Sequence, residues 1–155
     1  MPANTLKEFL DKKKVKFVSI RHSTAYTAQE IAASAHVKGR NLAKSVVVKL
    51  DGKMALAVLP AKYQIALDRL RAAVKAKAVA LAEEEEFVER FPGCETGAMP
   101  PFGNLYDLPV YVDETLTRDE EIAFNACSHT ELIQIVYQDF ARLVKPKVAT
   151  FSVLK

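Results

Sequence analysis

Glycine is scarce in this chain, five in 155 residues, and no low-complexity run is long enough to suggest disorder. Cysteine is scarcer still. Cys94 and Cys127 are the only two, and they match no zinc-ligand spacing, so no metal site is expected. Two thiols in a chain this size suggest a reducing compartment. No apolar stretch approaches membrane-spanning length. The start, Met1-Pro2-Ala3-Asn4, lacks the apolar core of a signal peptide. A cytoplasmic protein without a membrane partner is therefore expected. Positive charge is in small excess, with 22 Lys+Arg against 19 Asp+Glu for a net +3. A dedicated duplex-DNA binder shows a stronger basic face, so DNA is not expected as a partner and only a weak preference for polyanions remains.

What is present is a core. Half of the residues are hydrophobic, and the length suits one ordinary domain, residues 1–155, with no repeat or linker. Asn4 or Thr5 can cap a helix running to about residue 13, with Leu6, Phe9 and Leu10 on one face. Residues 15–20 alternate as a strand. Thr27 followed by Glu30 is a capping-box signature that predicts a helix over 28–36. Residues 45–50 and 54–59 read as two strands joined by an Asp51-Gly52 hairpin turn. A helix is expected over 65–74, a short strand over 78–81, and a helix over 83–90 whose four glutamates suit its N-terminus. Strands over 108–112, 121–125 and 132–137, a helix over 138–144 and a last strand over 148–153 complete the chain. Hairpins stand beside βα connections, which predicts an α/β fold with a mixed sheet.

Three segments carry chemistry. Gly97-Ala98-Met99-Pro100-Pro101-Phe102-Gly103 combines residues that fix backbone torsions with residues that permit unusual ones. Such a stiff loop can bare its amides to a ligand. Ala43-Lys44-Ser45 leads one strand, and Cys127-Ser128-His129 leads another.

These segments stand in the order Ala43-Lys44-Ser45-Val46-Val47-Val48, Phe91-Pro92-Gly93-Cys94-Glu95-Thr96-Gly97 through Gly103, Ser128-His129-Thr130, and Asp139-Phe140 before Leu143. In that order they resemble the YbaK family of aminoacyl-tRNA editing domains and the related insertion domain of bacterial prolyl-tRNA synthetase, over about residues 15–150. The resemblance implies a mixed, largely antiparallel sheet partly curled into a barrel and flanked by helices. It implies a standalone deacylase that hydrolyses the ester of a mischarged tRNA without metal or organic cofactor. The family lysine matches Lys44. The family Gly-x-x-Pro-x-Gly loop matches Gly97, Pro100 or Pro101, and Gly103. The family Gly-Ser-His or Gly-Thr-His segment matches Cys127, Ser128 and His129, with cysteine here in the glycine's place. Alanine on tRNA for proline is the first expected substrate, then cysteine and serine. An aminoacyl-tRNA synthetase is a possible partner, and a monomer is the default.

On this reading Lys44 binds the terminal phosphate or ribose, or stabilises charge in the transition state. Loop amides polarise the ester carbonyl, and the neighbouring ribose hydroxyl orients the water. Met99 and Phe102 form a pocket wall, a sieve worth roughly 1–3 kcal/mol per methylene. Ser128 bonds the substrate or caps local backbone, and His129 donates to the substrate or holds the loop. His22 is a lesser candidate for the cleft, and Lys12, Lys13, Lys14 and Lys16 for acceptor-stem phosphates. The bland readings are a strand-edge lysine, a rigid connector anchored by Phe102, and structural histidines. Cys94 is expected to pack or sit in its turn. Two alternatives stay open. One is a non-catalytic module of the same fold that binds tRNA ends or nucleotides. The other is a thiol hydrolase with Cys127 and His129 on one face of a strand.

Overall fold

A computed structural model of the chain describes residues 2–21 and 42–154. The helix expected over 28–36, with His22 and His36, lies outside the described residues.

Leu6 and Leu10, four residues apart, face the core from α1 (Pro2–Lys12), and both are fully buried. The helix starts earlier than an Asn4 or Thr5 cap would place it, because Pro2 has the fixed φ and missing N–H that suit a first turn. Lys14 then turns left-handed, with φ 60°. The Val15 N–H closes back on the Leu10 carbonyl at 2.9 Å, which delays β1 to Val18–Arg21. β2 (Leu42–Leu50) and β3 (Lys53–Pro60) form the expected hairpin. Asp51 and Gly52 have φ 51° and 86°, the paired positive values that a type I′ turn requires. β4 (Tyr63–Ile65), α2 (Leu67–Val74) and β5 (Val79–Leu81) follow.

The glutamate run makes less helix than expected. α3 (Glu84–Phe87) is one turn held by a Glu83–Glu86 capping box, and it passes into a 3-10 turn at Val88–Arg90. Beyond the loop come β6 (Val110–Asp113), β7 (Glu121–Asn125), β8 (Glu131–Val136) and α4 (Tyr137–Val144). The single strand expected over 148–153 is two, β9 (Lys147–Ala149) and β10 (Ser152–Leu154). The break has a physical cause. The buried Asp113 carboxylate takes the N–H groups of Phe151 and Ser152 at 2.8 and 3.0 Å, while the Phe151 side chain is fully enclosed. The chain therefore leaves one ladder and enters another.

The large sheet runs β1-β8-β7-β2-β3-β6-β9, with β5 also on β2; β4 and β10 pair separately. The β2–β7, β3–β6 and β6–β9 pairs are parallel, and the other pairs are antiparallel. The fold is thus mixed α/β and mostly antiparallel. Among the described residues the ladder ends at β1 and β9, so the sheet stays open and does not close into a barrel. One face carries Ala43, Val47, Phe124 and Ile133 against Leu6, Leu10 and Phe140. The other carries Val48, Ala55, Ala57 and Leu59 against Leu70 of α2 and Phe151.

Candidate active site

Among the described residues the sheet contains a local gap. On one edge of β2, Leu42 and Ala43 pair with Ala123 and Phe124 of β7, and Val48 to Leu50 pair with β5. Between those ladders lie Lys44 to Val47, where the Val47 carbonyl accepts the Ala82 N–H at 3.0 Å. Lys44, half-buried, is therefore the third residue of its strand rather than its opening residue, and it sits beside the end of β7. Alternation puts it on the face of Leu42, which packs with Ala123 and Leu132.

The chain leaving β7 turns at the same end. Cys127-Ser128-His129 is not the start of a strand. It belongs to the β7–β8 turn, and Cys127 has φ 65°. Residues 94–98 are stitched to this turn. The Glu95 N–H donates to the Cys127 carbonyl at 3.0 Å, and the Cys127 N–H donates to the Ala98 carbonyl at 2.9 Å. The Glu95 carboxylate accepts the His129 N–H at 3.0 Å and lies 3.5 Å from the Ser128 hydroxyl. His129 Nε2 lies 2.8 Å from the Thr96 carbonyl. A carbonyl only accepts, so Nε2 carries a hydrogen. Ser128 Oγ accepts the Thr130 N–H at 3.2 Å, the local backbone cap that its residue type allows.

Two expectations about the cysteines are corrected here. Cys94 does not merely pack in its turn, and the two thiols are not separate: Cys94 and Cys127 are disulfide-bonded, 33 residues apart in sequence. The thiol-hydrolase arrangement is absent as well. The Cys127 sulfur is bonded to Cys94, and the His129 Nε2 is turned to Thr96.

The loop divides into two parts. Gly97 is exposed, with φ 87°, a value that side-chain-bearing residues rarely adopt. A Cβ there would lie 3.4 Å from the His129 ring. Its N–H points to the Met99 thioether at 3.3 Å, a weak acceptor. The Ala98 N–H is already held by the Glu95 carbonyl at 3.0 Å. Pro100 and Pro101 are buried and have no N–H.

Phe102, expected in a pocket wall, is fully buried among the rings of Phe9, Phe124 and Phe140, with centroids 6.1, 5.5 and 5.6 Å away. Met99 is 5% exposed and belongs to the same core. Their apolar surface is more stabilising against other side chains than in a wet cleft. Gly103 is a packing requirement, because a Cβ would stand 2.5 Å from both the Leu108 carbonyl and Val110 Cγ2.

Glu95 is the organising residue that sequence reasoning missed. It lay inside the Gly-rich run, but nothing in one sequence pairs a carboxylate with an amide 34 positions away. Glu131, directly after Thr130, ties the turn to α1 through Lys7 at 2.6 Å and to β1 through Ser19. Burial alone would raise its pKa, but Lys7 and Ser19 outweigh burial and hold the carboxyl below its usual range. Among the described residues no group of three His, Cys, Asp or Glu is placed to hold a metal. None of their helices is long and apolar enough to cross a membrane.

The fold agrees with what comparison finds. The profile of the aminoacyl-tRNA editing domain matches residues 22–143. The chain is 32% identical over 114 residues to the multifunctional Ser/Thr-tRNA deacylase ProXp-y of Escherichia coli K12, covering 70% of this chain and 68% of that protein. The O157:H7 protein of the same name matches equally. Among solved structures, a candidate trans-editing enzyme for prolyl-tRNA synthetase superposes with a TM-score of 0.83 at 22% identity, over 98% of this chain and 97% of that one. The hypothetical protein APE2540 superposes with a TM-score of 0.82 at 19% identity, covering 96% of this chain and 99% of that one. The chain belongs to the aminoacyl-tRNA editing domain family and is a hydrolase acting on the aminoacyl-tRNA ester bond.

Proposed function

We propose that the whole chain is one editing domain acting in trans on tRNA that carries a wrong small amino acid, with serine or threonine as the preferred residue. Alanine on tRNA for proline, first suggested by the family resemblance, takes second place because a protein 32% identical is a Ser/Thr-tRNA deacylase. The reading is supported by the joining of the exposed Gly97 segment to the turn that bears His129, at the end of β7 whose ladder with β2 stops one residue before Lys44.

An aminoacyl ester is already activated, so its hydrolysis needs charge stabilisation and a placed water more than a strong nucleophile. Attack of water on the carbonyl creates an oxyanion. The Gly97 N–H, held among the described residues by a thioether, can turn to that oxyanion at little cost. Lys44 supplies positive charge to the oxyanion or to the terminal phosphate. The neighbouring ribose hydroxyl orients the water. His129 and Glu95 keep the Gly97 segment in position, and Phe102 anchors the loop from beneath. Lys12, Lys13, Lys14 and Lys16, all exposed, suit acceptor-stem phosphates. A synthetase that presents the tRNA would add selectivity to a cytoplasmic monomer of this small net charge.

A deacylation time course on seryl-, threonyl-, alanyl- and cysteinyl-tRNA, with correctly charged prolyl-tRNA as control, tests the proposal. The seryl or threonyl ester should disappear fastest while prolyl-tRNA persists. Fastest loss of the alanyl ester would overturn the substrate assignment, and no turnover on any ester would overturn the deacylase reading.

A further inference from the structure

Three features lie outside the reaction as described: the Cys94–Cys127 pair, the phenol of Tyr106, and an open pocket of about 700 Å³ lined by residues that include Arg90, Pro92, Asn104 and Tyr106. They are contiguous. The Tyr106 hydroxyl lies 3.7 Å from Cys94 Sγ and 3.5 Å from Cys127 Sγ, and Tyr106 also lines the pocket. Burial raises the phenol pKa, so at neutral pH the hydroxyl keeps its proton and can donate to either sulfur.

We propose that Cys94 and Cys127 are a reversible thiol–disulfide site, oxidised by a zwitterionic low-molecular-weight disulfide of the glutathione type, whose bonded form holds the editing site in its working shape. The proposal rests on the deacylase reading above. The two Cα atoms are 4.3 Å apart, at the short end of the separations a disulfide spans. No other cysteine in the chain competes for either sulfur. Cys127 is only 4% exposed, but Cys94 is half-buried beside the exposed Pro92, Gly93 and Glu95, which gives a small thiol its point of attack. Arg90 and Asp107 both line the pocket bordered by Pro92 and Tyr106, so it offers one charge of each sign to a zwitterionic reagent such as a glutathione-type disulfide.

The bond has a mechanical consequence at the site. Cys127 has a positive φ that a side-chain-bearing residue adopts only when its surroundings impose it. Its N–H and carbonyl are the groups stitched to Ala98 and Glu95. Reduction returns the sulfurs to non-bonded separation, removes the covalent restraint and loosens those stitches, and with them the position of Gly97. The exchange balances. The Cys94 thiolate attacks one sulfur of the external disulfide, whose S–S bond breaks; one thiolate leaves, takes a proton, and a mixed disulfide remains. The Cys127 thiolate then attacks the Cys94 sulfur and expels the second thiol. Two electrons pass from the protein dithiol to the reagent, and the reverse sequence reduces the protein.

The test equilibrates wild type, Cys94→Ser and Cys127→Gly in glutathione buffers of graded ratio. Each sample is divided between alkylation with mass analysis and a seryl-tRNA deacylation assay. Wild type should lose both alkylatable thiols in one two-electron step, and kcat/KM should rise with the bonded fraction by about tenfold or more, the scale expected for small misplacement of a catalytic group. Neither variant should form an internal bond, and Cys127→Gly should stop at the mixed disulfide on Cys94. Two alkylatable thiols at every ratio would overturn the proposal. So would equal rates for bonded and reduced wild type, or a faster reduced form. If no form hydrolyses any ester, the deacylase reading fails and the regulatory role fails with it, while the alkylation result still decides whether the bond forms.

Discussion

Glu95 and His129 are held together on both sides of the histidine: the Glu95 carboxylate takes the His129 N–H at 3.0 Å, and the adjoining Thr96 carbonyl takes its ring Nε2–H at 2.8 Å. The carboxylate is exposed, so its contribution to global stability is small. Its contribution to position is larger, because it fixes the turn against which Gly97 rests. Glu95→Ala is expected to lower kcat/KM by about ten- to hundredfold, with little change in thermal midpoint. Glu95→Gln keeps an oxygen acceptor and should recover most of the rate. An alanine variant with wild-type kinetics would show that the stitch does not matter to the reaction.

Gly103 makes a different kind of prediction. Gly103→Ala places a methyl 2.5 Å from the Leu108 carbonyl, which is backbone and cannot rotate aside. Destabilisation of about 1–3 kcal/mol is expected from overpacking, read as a lower urea midpoint at unchanged slope. A variant as stable as wild type would mean that the glycine answers to something other than packing.

The sequence made the hairpin at Asp51-Gly52, the strand over 121–125 and the amphipathic face of Leu6 and Leu10 legible, because each is written in local turn chemistry or periodicity. It also marked the Gly97 loop as irregular, but it placed Cys127-Ser128-His129 at the start of a strand, where the chain instead turns with a positive φ at Cys127. What it did not show is how these turns bind each other. The Glu95–His129 bond, the Cys94–Cys127 pair and the burial of Phe102 among three rings all join positions more than 20 residues apart or depend on which sheet face closes. The split of the last strand was hidden for the same reason, because its cause is Asp113, 38 residues before Phe151.

Asp113 gives the account a pH dependence. Burial alone would raise its pKa, but donation from the Phe151 and Thr115 amides and the Thr115 and Ser152 hydroxyls more than compensates and holds the carboxyl below its usual range. A lowered folded-state pKa means stability that is fully present above the ordinary aspartate range, near about 4, and is lost as pH falls through the folded value. Asp113→Asn should cost about 2–4 kcal/mol at pH 7, since the amide leaves buried donors short of acceptors. The gap between wild type and variant should narrow on acidification. Denaturant titrations of both proteins at pH 7 and pH 3 check this, and a gap independent of pH would contradict it.

The central claim is that Lys44, set in the gap between β7 and β5, acts on the ester in concert with the stitched turns. The most direct measurement is the single-turnover rate of seryl-tRNA hydrolysis by wild type and Lys44→Ala, with circular dichroism to confirm that both are folded. The account predicts that the folded variant is slower by about a hundredfold or more, the loss typical of removing one group that stabilises an oxyanion. A folded variant that cleaves at the wild-type rate would place the chemistry elsewhere and contradict the account.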